Sequence, residues 1–72
     1  MTEHIFMAVD LGATSGRTMI GRLCDGRLSQ QEFTRFANPI IEVNGRFYWD
    51  IFSLYNEIVK ALRRCADEHI AI

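Results

Sequence analysis

The run Asp10-Leu11-Gly12-Ala13-Thr14-Ser15-Gly16-Arg17 gathers the residue types of an anion site into one short stretch. An acid closes an apolar run, where an unpartnered charge is costly. Gly12 and Gly16 allow backbone conformations closed to other residues and a close approach by another molecule. Thr14 and Ser15 bring hydroxyls, and such a turn can aim several amide N–H groups into one concavity. Arg17 carries a planar fork matched to phosphate oxygens. A carboxylate beside such a nest repels phosphate unless a cation lies between them. The pattern therefore implies a magnesium ion, held through water by Asp10, next to a nucleotide phosphate. Asp and Gly are also ordinary turn formers, and Arg17 suits a solvated strand position; the residues alone leave both readings open. The stretch is neither of the better-known phosphate loops. It lacks the Lys of G-x-x-x-x-G-K-[ST], and a strand rather than a helix follows the turn.

The flanking elements must hold that turn in place. His4 to Val9 is nearly all apolar and without alternation, which predicts a central strand buried on both faces. Leu11 to Gly16 reads as the turn. Alternation returns from Arg17 to Cys24, with Met19, Gly21 and Leu23 on one face and Thr18, Ile20 and Arg22 on the other. Asp25-Gly26 suits a two-residue hairpin, whose central positions need positive φ. A third strand then runs from Arg27 to about Phe36, with the polar Ser29-Gln30-Gln31-Glu32 marking a sheet edge or a solvent-facing strip. Asn38-Pro39 stops it.

Asn44-Gly45 predicts a second hairpin between Ile40-Ile41-Glu42-Val43 and Arg46-Phe47-Tyr48, an excursion from the main sheet. Asp50 reads as the N-cap of a helix. Ile51, Tyr55, Ile58, Leu62, Cys65 and His69 form its apolar stripe, widened by Leu54, Val59 and Ala66. Ser53, Asn56, Glu57, Lys60, Arg63, Arg64, Asp67 and Glu68 fill the other face. Ile70-Ala71-Ile72 reads as the first half of another buried strand, with no terminating signal after it.

Other chemistry-bearing residues give weaker patterns. His4 and His69 have no Cys, His or acid at metal spacing; His69 either finishes the apolar stripe or faces solvent near the helix C-terminus. Cys24 and Cys65 read as small apolar packing residues, without an activating base. Tyr48 and Trp49 read as an aromatic anchor between hairpin and helix rather than a sugar platform. Lys60, Arg63 and Arg64 alternate with Glu57, Asp67 and Glu68, the pattern of a solvated face.

The composition, 49% apolar, 24% charged and 11% aromatic in 72 residues, excludes a disordered tail, a collagen-like repeat and a low-complexity linker. A net charge of −1 lacks the basic excess of a general nucleic-acid or anionic-membrane binder. Two cysteines without framework or zinc spacing point to a reduced, cytoplasmic protein. The start Met1-Thr2-Glu3-His4 is acidic where a signal peptide is basic, and no apolar run is long enough to span a bilayer.

Val9-Asp10-Leu11-Gly12-Ala13-Thr14-Ser15-Gly16-Arg17 resembles the first phosphate motif of the actin, hexokinase and sugar-kinase ATPases, and most of all that of the FGGY carbohydrate kinases. Within that family it is similar to a subgroup whose usual form is Gly-Ala-[Ser/Thr]-Ser-Gly-Arg. Arg35-Phe36, the Asn44-Gly45 turn and Trp49-Asp50 before a long helix fit the same subgroup. The resemblance covers nearly all of the chain but only the beginning of the family's longer one. It implies an α/β, ribonuclease-H-like (actin-like ATPase) fragment, with a three-stranded antiparallel sheet and one packed helix. Residues 1–72 would be an incomplete N-terminal part of the first kinase domain.

The same resemblance implies ATP and magnesium as cofactors and a ketose, L-rhamnulose, as acceptor. Asp10 would hold magnesium through water, and Ala13, Thr14, Ser15, Gly16 and Arg17, with Gly12, would form the ATP-binding segment. Many related kinases have Thr at the place of Ala13, so one hydroxyl contact is lost here. The family's catalytic base is an Asp beyond residue 72, so no catalytic residue falls in this chain, and by itself it should be inactive. Rival readings are a fuculokinase, xylulokinase or glycerol kinase of the same family, or an actin-like or chaperone-like ATPase. No nucleic-acid or membrane partner is expected. The first strand should lie centrally in the complete fold beside a parallel strand starting near Ile70, so the chain alone should self-associate through exposed edges and apolar faces.

Overall fold

The computed structural model describes residues 2–72; Met1, part of the acidic start, lies outside them. Three antiparallel strands, β1 (Glu3–Leu11), β2 (Ser15–Cys24) and β3 (Arg27–Ala37), form one sheet in the order β1-β2-β3. A separate two-stranded ribbon, β4 (Ile40–Val43) with β5 (Arg46–Trp49), leads into the helix α1 (Ile51–Asp67). This is the α/β arrangement expected, and it is consistent with a ribonuclease-H-like fragment. No helix among the described residues is long and apolar enough to cross a membrane.

The turn chemistry acts as its residue types require. Asp25 and Gly26 take φ of 53° and 75°, and Asn44 and Gly45 take 52° and 76°. Both pairs thus adopt the left-handed geometry that matches hairpin twist. Asp50 caps α1: its carboxylate accepts from the Ser53 amide at 3.2 Å and from the Ser53 hydroxyl at 2.8 Å. Those bonds, the amide's first, hold the Asp50 carboxyl below its ordinary range.

The far end of α1 closes on an unusual residue. The Ile70 amide donates to the Cys65 carbonyl and the His69 amide to the Ala66 carbonyl, the paired bonds of a Schellman ending. That ending puts His69 at φ 58°, where glycine is usual. His69 is therefore exposed beyond the helix and does not continue the apolar stripe.

The core is small: Ile20, Phe36, Leu54, Ala61 and Cys65, with the buried polar residues Thr18 and Asn38. On β2, Thr18 and Ile20 face inward, as the alternation predicted, and the Thr18 and Thr34 hydroxyls hydrogen-bond across β2 and β3. The radius of gyration is 15.0 Å, against about 11 Å for a compact chain of this length. An elongated body leaves much apolar surface uncovered, which explains three departures from the sequence reading.

First, β1 is not buried on both faces. Among the described residues it pairs only with β2, and Phe6, Val9 and Leu11 stay 36–41% exposed. Second, the stripe that α1 buries is Leu54, Ala61 and Cys65, while Ile51, Tyr55 and Leu62 are exposed. The buried face is rotated by about 60° from the predicted one, with Leu54 and Cys65 common to both. Ala61, fully buried, is small enough for the helix to approach the sheet on that side. Third, Ile70–Ile72 form no strand. Ile70 shares a groove with Ile20, Arg22 and Phe33 over the sheet face, and the Ile72 amide turns back to the Ile70 carbonyl.

Candidate functional site

The β1–β2 turn spans Gly12, Ala13 and Thr14: Leu11 and Gly16 close the ladder between the two strands, and Ser15 already pairs with Ala37 of β3. Within it, the Gly12 amide donates to the Ser15 carbonyl at 2.8 Å. A Cβ on Gly12 would lie 3.1 Å from that oxygen, tighter than side chains normally accept. Residue 12 is small so that the turn can close.

Asn38 ties the turn from below. Its backbone amide donates to the Thr14 carbonyl at 3.0 Å, and its side-chain Nδ2 donates to the Gly12 carbonyl at 2.7 Å. The acceptors of Gly12, Thr14 and Ser15 are thus engaged by the protein itself. The amides of Ala13 and Thr14 make no hydrogen bond among the described residues. Ala13 and Thr14 are exposed and Ser15 is half-buried. With the Gly12 and Thr14 carbonyls held by Asn38 and the Ala13 and Thr14 amides free, the turn can present N–H groups outward, as a nest for an anion requires.

Gly16 differs from the other turn residues. It is buried, and a Cβ there would overlap the Phe36 ring and lie 3.0 Å from Leu11 Cδ2. Its smallness makes room for an aromatic residue of β3, in the same way that Gly21 makes room for Phe6 across β1 and β2.

Asp10 and Arg17 are opposite each other in the ladder, and directly opposed residues share a sheet face. Arg17 Nε donates to Asp10 Oδ2 at 3.1 Å. On its other side Arg17 faces Arg35, an unfavourable like-charge pair. Glu32 relieves it: Oε1 accepts from Arg35 Nη2 at 2.6 Å and lies 3.9 Å from Arg17 Nη1. The Arg35 hydrogen bond first, then the Arg35 and Arg17 charges, lower the Glu32 carboxyl below its usual range, and Glu32 raises Arg35 in return. Two acids and two arginines therefore form a neutral, solvent-facing row. Arg17 as it stands is shared between carboxylates rather than free.

The fit to magnesium rests on Asp10 alone. No group of three or more His, Cys, Asp or Glu side chains that could hold a metal occurs among the described residues. Asp10 spends Oδ2 on Arg17, and Oδ1 has no hydrogen-bond partner among the described residues. One carboxylate oxygen suits an ion that keeps most of its water and takes its other ligands from a substrate phosphate.

The remaining candidates stay apart from the turn. Cys65 is buried, and burial, with a smaller push from Glu68, raises its thiol, which suits packing and not nucleophilic chemistry. Tyr48 and Trp49 are exposed on the ribbon rather than packed as an anchor. Arg64 is not merely solvated: it donates to the Phe33 carbonyl at 2.7 Å and lies over the Phe33 ring. The ladder shifts register there, pairing Thr18 with Thr34 but Met19 with Glu32, so the Phe33 carbonyl needs another donor. Two grooves among the described residues are lined from Glu3, β2, β3, the β2–β3 hairpin, Arg64 of α1 and the residues just after it, and neither includes residues 10–17.

Asn38, like Glu32 beside Arg17, is a member of the site that the sequence pattern missed. It reads there only as the residue before Pro39, and a buried polar residue leaves no periodic signal.

Comparison with known proteins follows the same stretch. No family model matches the chain. It is 54% identical over 61 residues to a rhamnulokinase of Bacteroides thetaiotaomicron, covering 85% of this chain and 13% of that one. It is 44% identical over 64 residues to a rhamnulokinase of Halalkalibacterium halodurans, covering 89% and 14%. With a rhamnulokinase of Bacillus subtilis it shares 43% over 60 residues, covering 83% and 12%. The chain spans about one eighth of the length of these curated relatives.

Proposed function

We propose, for a chain whose sequence belongs with those of the rhamnulokinases, that it forms the nucleotide-phosphate segment of an ATP-dependent sugar kinase. The reaction is transfer of the ATP γ-phosphoryl group to the primary hydroxyl of L-rhamnulose, giving L-rhamnulose 1-phosphate and ADP. The segment works there as the opening part of a longer cytoplasmic chain, and alone it is inactive, because half a phosphate site cannot assemble the transition state.

The observation that carries the reading is the shared sequence, 54% over 61 residues, which includes most of this chain. The turn supports it with the free amides of Ala13 and Thr14, beside carbonyls already engaged by Asn38 and Gly12. In phosphoryl transfer the protein chiefly positions phosphate and stabilises charge, and amide groups fixed in advance do so without reorganising. The Thr14 and Ser15 hydroxyls add donors at the same rim. Arg17 would meet a phosphate oxygen on leaving the Asp10–Glu32 row, and Asp10 would be the residue that holds magnesium through water. Magnesium, when bound, neutralises phosphate charge. Gly12 and Gly16 serve by being small, one for turn closure and one beneath Phe36.

The test is ADP release by the purified full-length enzyme against a panel of L-rhamnulose, L-fuculose, D-xylulose and glycerol. Turnover strictly dependent on sugar and highest with L-rhamnulose is expected. A preference for another acceptor overturns the substrate, and ATP turnover independent of any sugar overturns the kinase reading.

A further inference from the structure

We propose that Asn38 is the positioning residue of the phosphate turn, and that its side-chain amide sets the affinity for the nucleotide. This rests on the kinase reading above. Asn38 is only 2% exposed. Its two donors reach the two carbonyls that flank Ala13, Gly12 through Nδ2 and Thr14 through the backbone. A peptide unit cannot turn its carbonyl outward while that carbonyl is held from below, so its plane is fixed. A free carbonyl at the rim of an anion site would repel phosphate, and Asn38 removes two such oxygens at once.

The other side-chain atom strengthens the case. Asn38 Oδ1 is buried and has no hydrogen-bond partner among the described residues. Rotating the amide would bring Oδ1 against the Gly12 carbonyl, oxygen facing oxygen, so the observed orientation is the one that makes a bond. A buried acceptor without a donor is unfavourable, and an apolar residue would avoid it. The fold keeps an asparagine because of what Nδ2 does at Gly12.

Asn38 touches no reacting atom; its side chain acts through the orientation of the Ala13 amide, which shares a peptide plane with the Gly12 carbonyl. Its removal should therefore raise the KM for ATP and leave the KM for the sugar unchanged. Asn38→Asp keeps the side-chain volume but replaces the donor with an acceptor. Asn38→Ala removes both without burying a charge. Ile20→Val, a core change away from the turn, serves as the control for a general loss of stability.

The experiment is steady-state kinetics of the full-length enzyme and these three variants with ATP and L-rhamnulose, together with their melting temperatures. Expected is about a tenfold rise in the ATP KM for Asn38→Ala and at least as much for Asn38→Asp, with the sugar KM within twofold of wild type. A tenfold change in apparent affinity corresponds to about 1.4 kcal/mol. Ile20→Val should lower the melting temperature without changing either KM. If wild type phosphorylates L-rhamnulose but Asn38→Ala leaves the ATP KM unchanged, or raises both KM values together, Asn38 is structural only and the proposal fails. If wild type shows no sugar-dependent ATP turnover, the kinase reading itself is wrong, and this proposal falls with it.

Discussion

Gly16 separates two reasons for a glycine in a phosphate motif: approach by a ligand and packing by the protein. A Cβ at Gly16 would overlap the Phe36 ring and sit 3.0 Å from Leu11 Cδ2. Phe36 is 9% exposed, so its ring has little room to withdraw. Forcing a methyl into such a contact costs about 1–3 kcal/mol, and the aromatic neighbour puts Gly16→Ala near the upper end. Total stability for a chain of this size is roughly 4–11 kcal/mol, so the loss is a large fraction of it. Phe36→Ala alone should cost about 3 kcal/mol, the lower end for a buried aromatic, because this core is thin. In the double variant the ring is gone and the new methyl meets only Leu11 Cδ2, the end of a flexible side chain. The two changes together should therefore cost about 2 kcal/mol less than their sum. Urea unfolding followed by circular dichroism on wild type, both single variants and the double variant measures that coupling. Strict additivity, or a Gly16→Ala variant as stable as wild type, would refute the packing argument.

Other expectations follow from neighbouring features. In the full-length enzyme, Arg17→Ala should cost ~2–4 kcal/mol in kcat/KM, whereas Asp10→Asn should be partly rescued by added magnesium; unaltered ATP kinetics in both would make the turn purely structural. His69→Gly should stabilise the helix end by about 1 kcal/mol, because φ 58° no longer carries a Cβ penalty; a lowered melting temperature would show that the His69 side chain has a stabilising contact. Phe47 and Phe52, 70% and 78% exposed, and the open edge of β1 leave the chain with surfaces that recruit another copy; light scattering should show association, and a monodisperse monomer at high concentration would contradict it.

Local chemistry was legible in the sequence wherever it depends on a few adjacent residues. Asp25-Gly26 and Asn44-Gly45 turn as their residue types require, and Asp50 caps the helix that follows it. The turn after β1 was legible for the same reason: its residue types are contiguous. What escaped depends on what lies alongside. An apolar run such as Ile5 to Val9 cannot say how much of its faces other elements will cover, and here Phe6 and Val9 stay exposed. The apolar arc of α1 is wider than the face it buries, so its residues could not decide between Leu54–Ala61–Cys65 and Ile51–Tyr55–Leu62. Arg64 appeared as one more surface charge because its partner, the Phe33 carbonyl, is exposed by a register shift in β3 that no residue type announces. Asn38 lies 26 positions from the carbonyl it holds, a separation at which sequence pattern carries no signal.

The most direct measurement is transfer of a radiolabelled γ-phosphate from ATP to L-rhamnulose by the full-length enzyme, with wild type beside Arg17→Ala. Label should appear in a sugar monophosphate only when ATP, magnesium and L-rhamnulose are all present, and the Arg17→Ala rate should be greatly reduced. Label released as inorganic phosphate, with none in the sugar, would contradict the assignment of this turn to a sugar kinase.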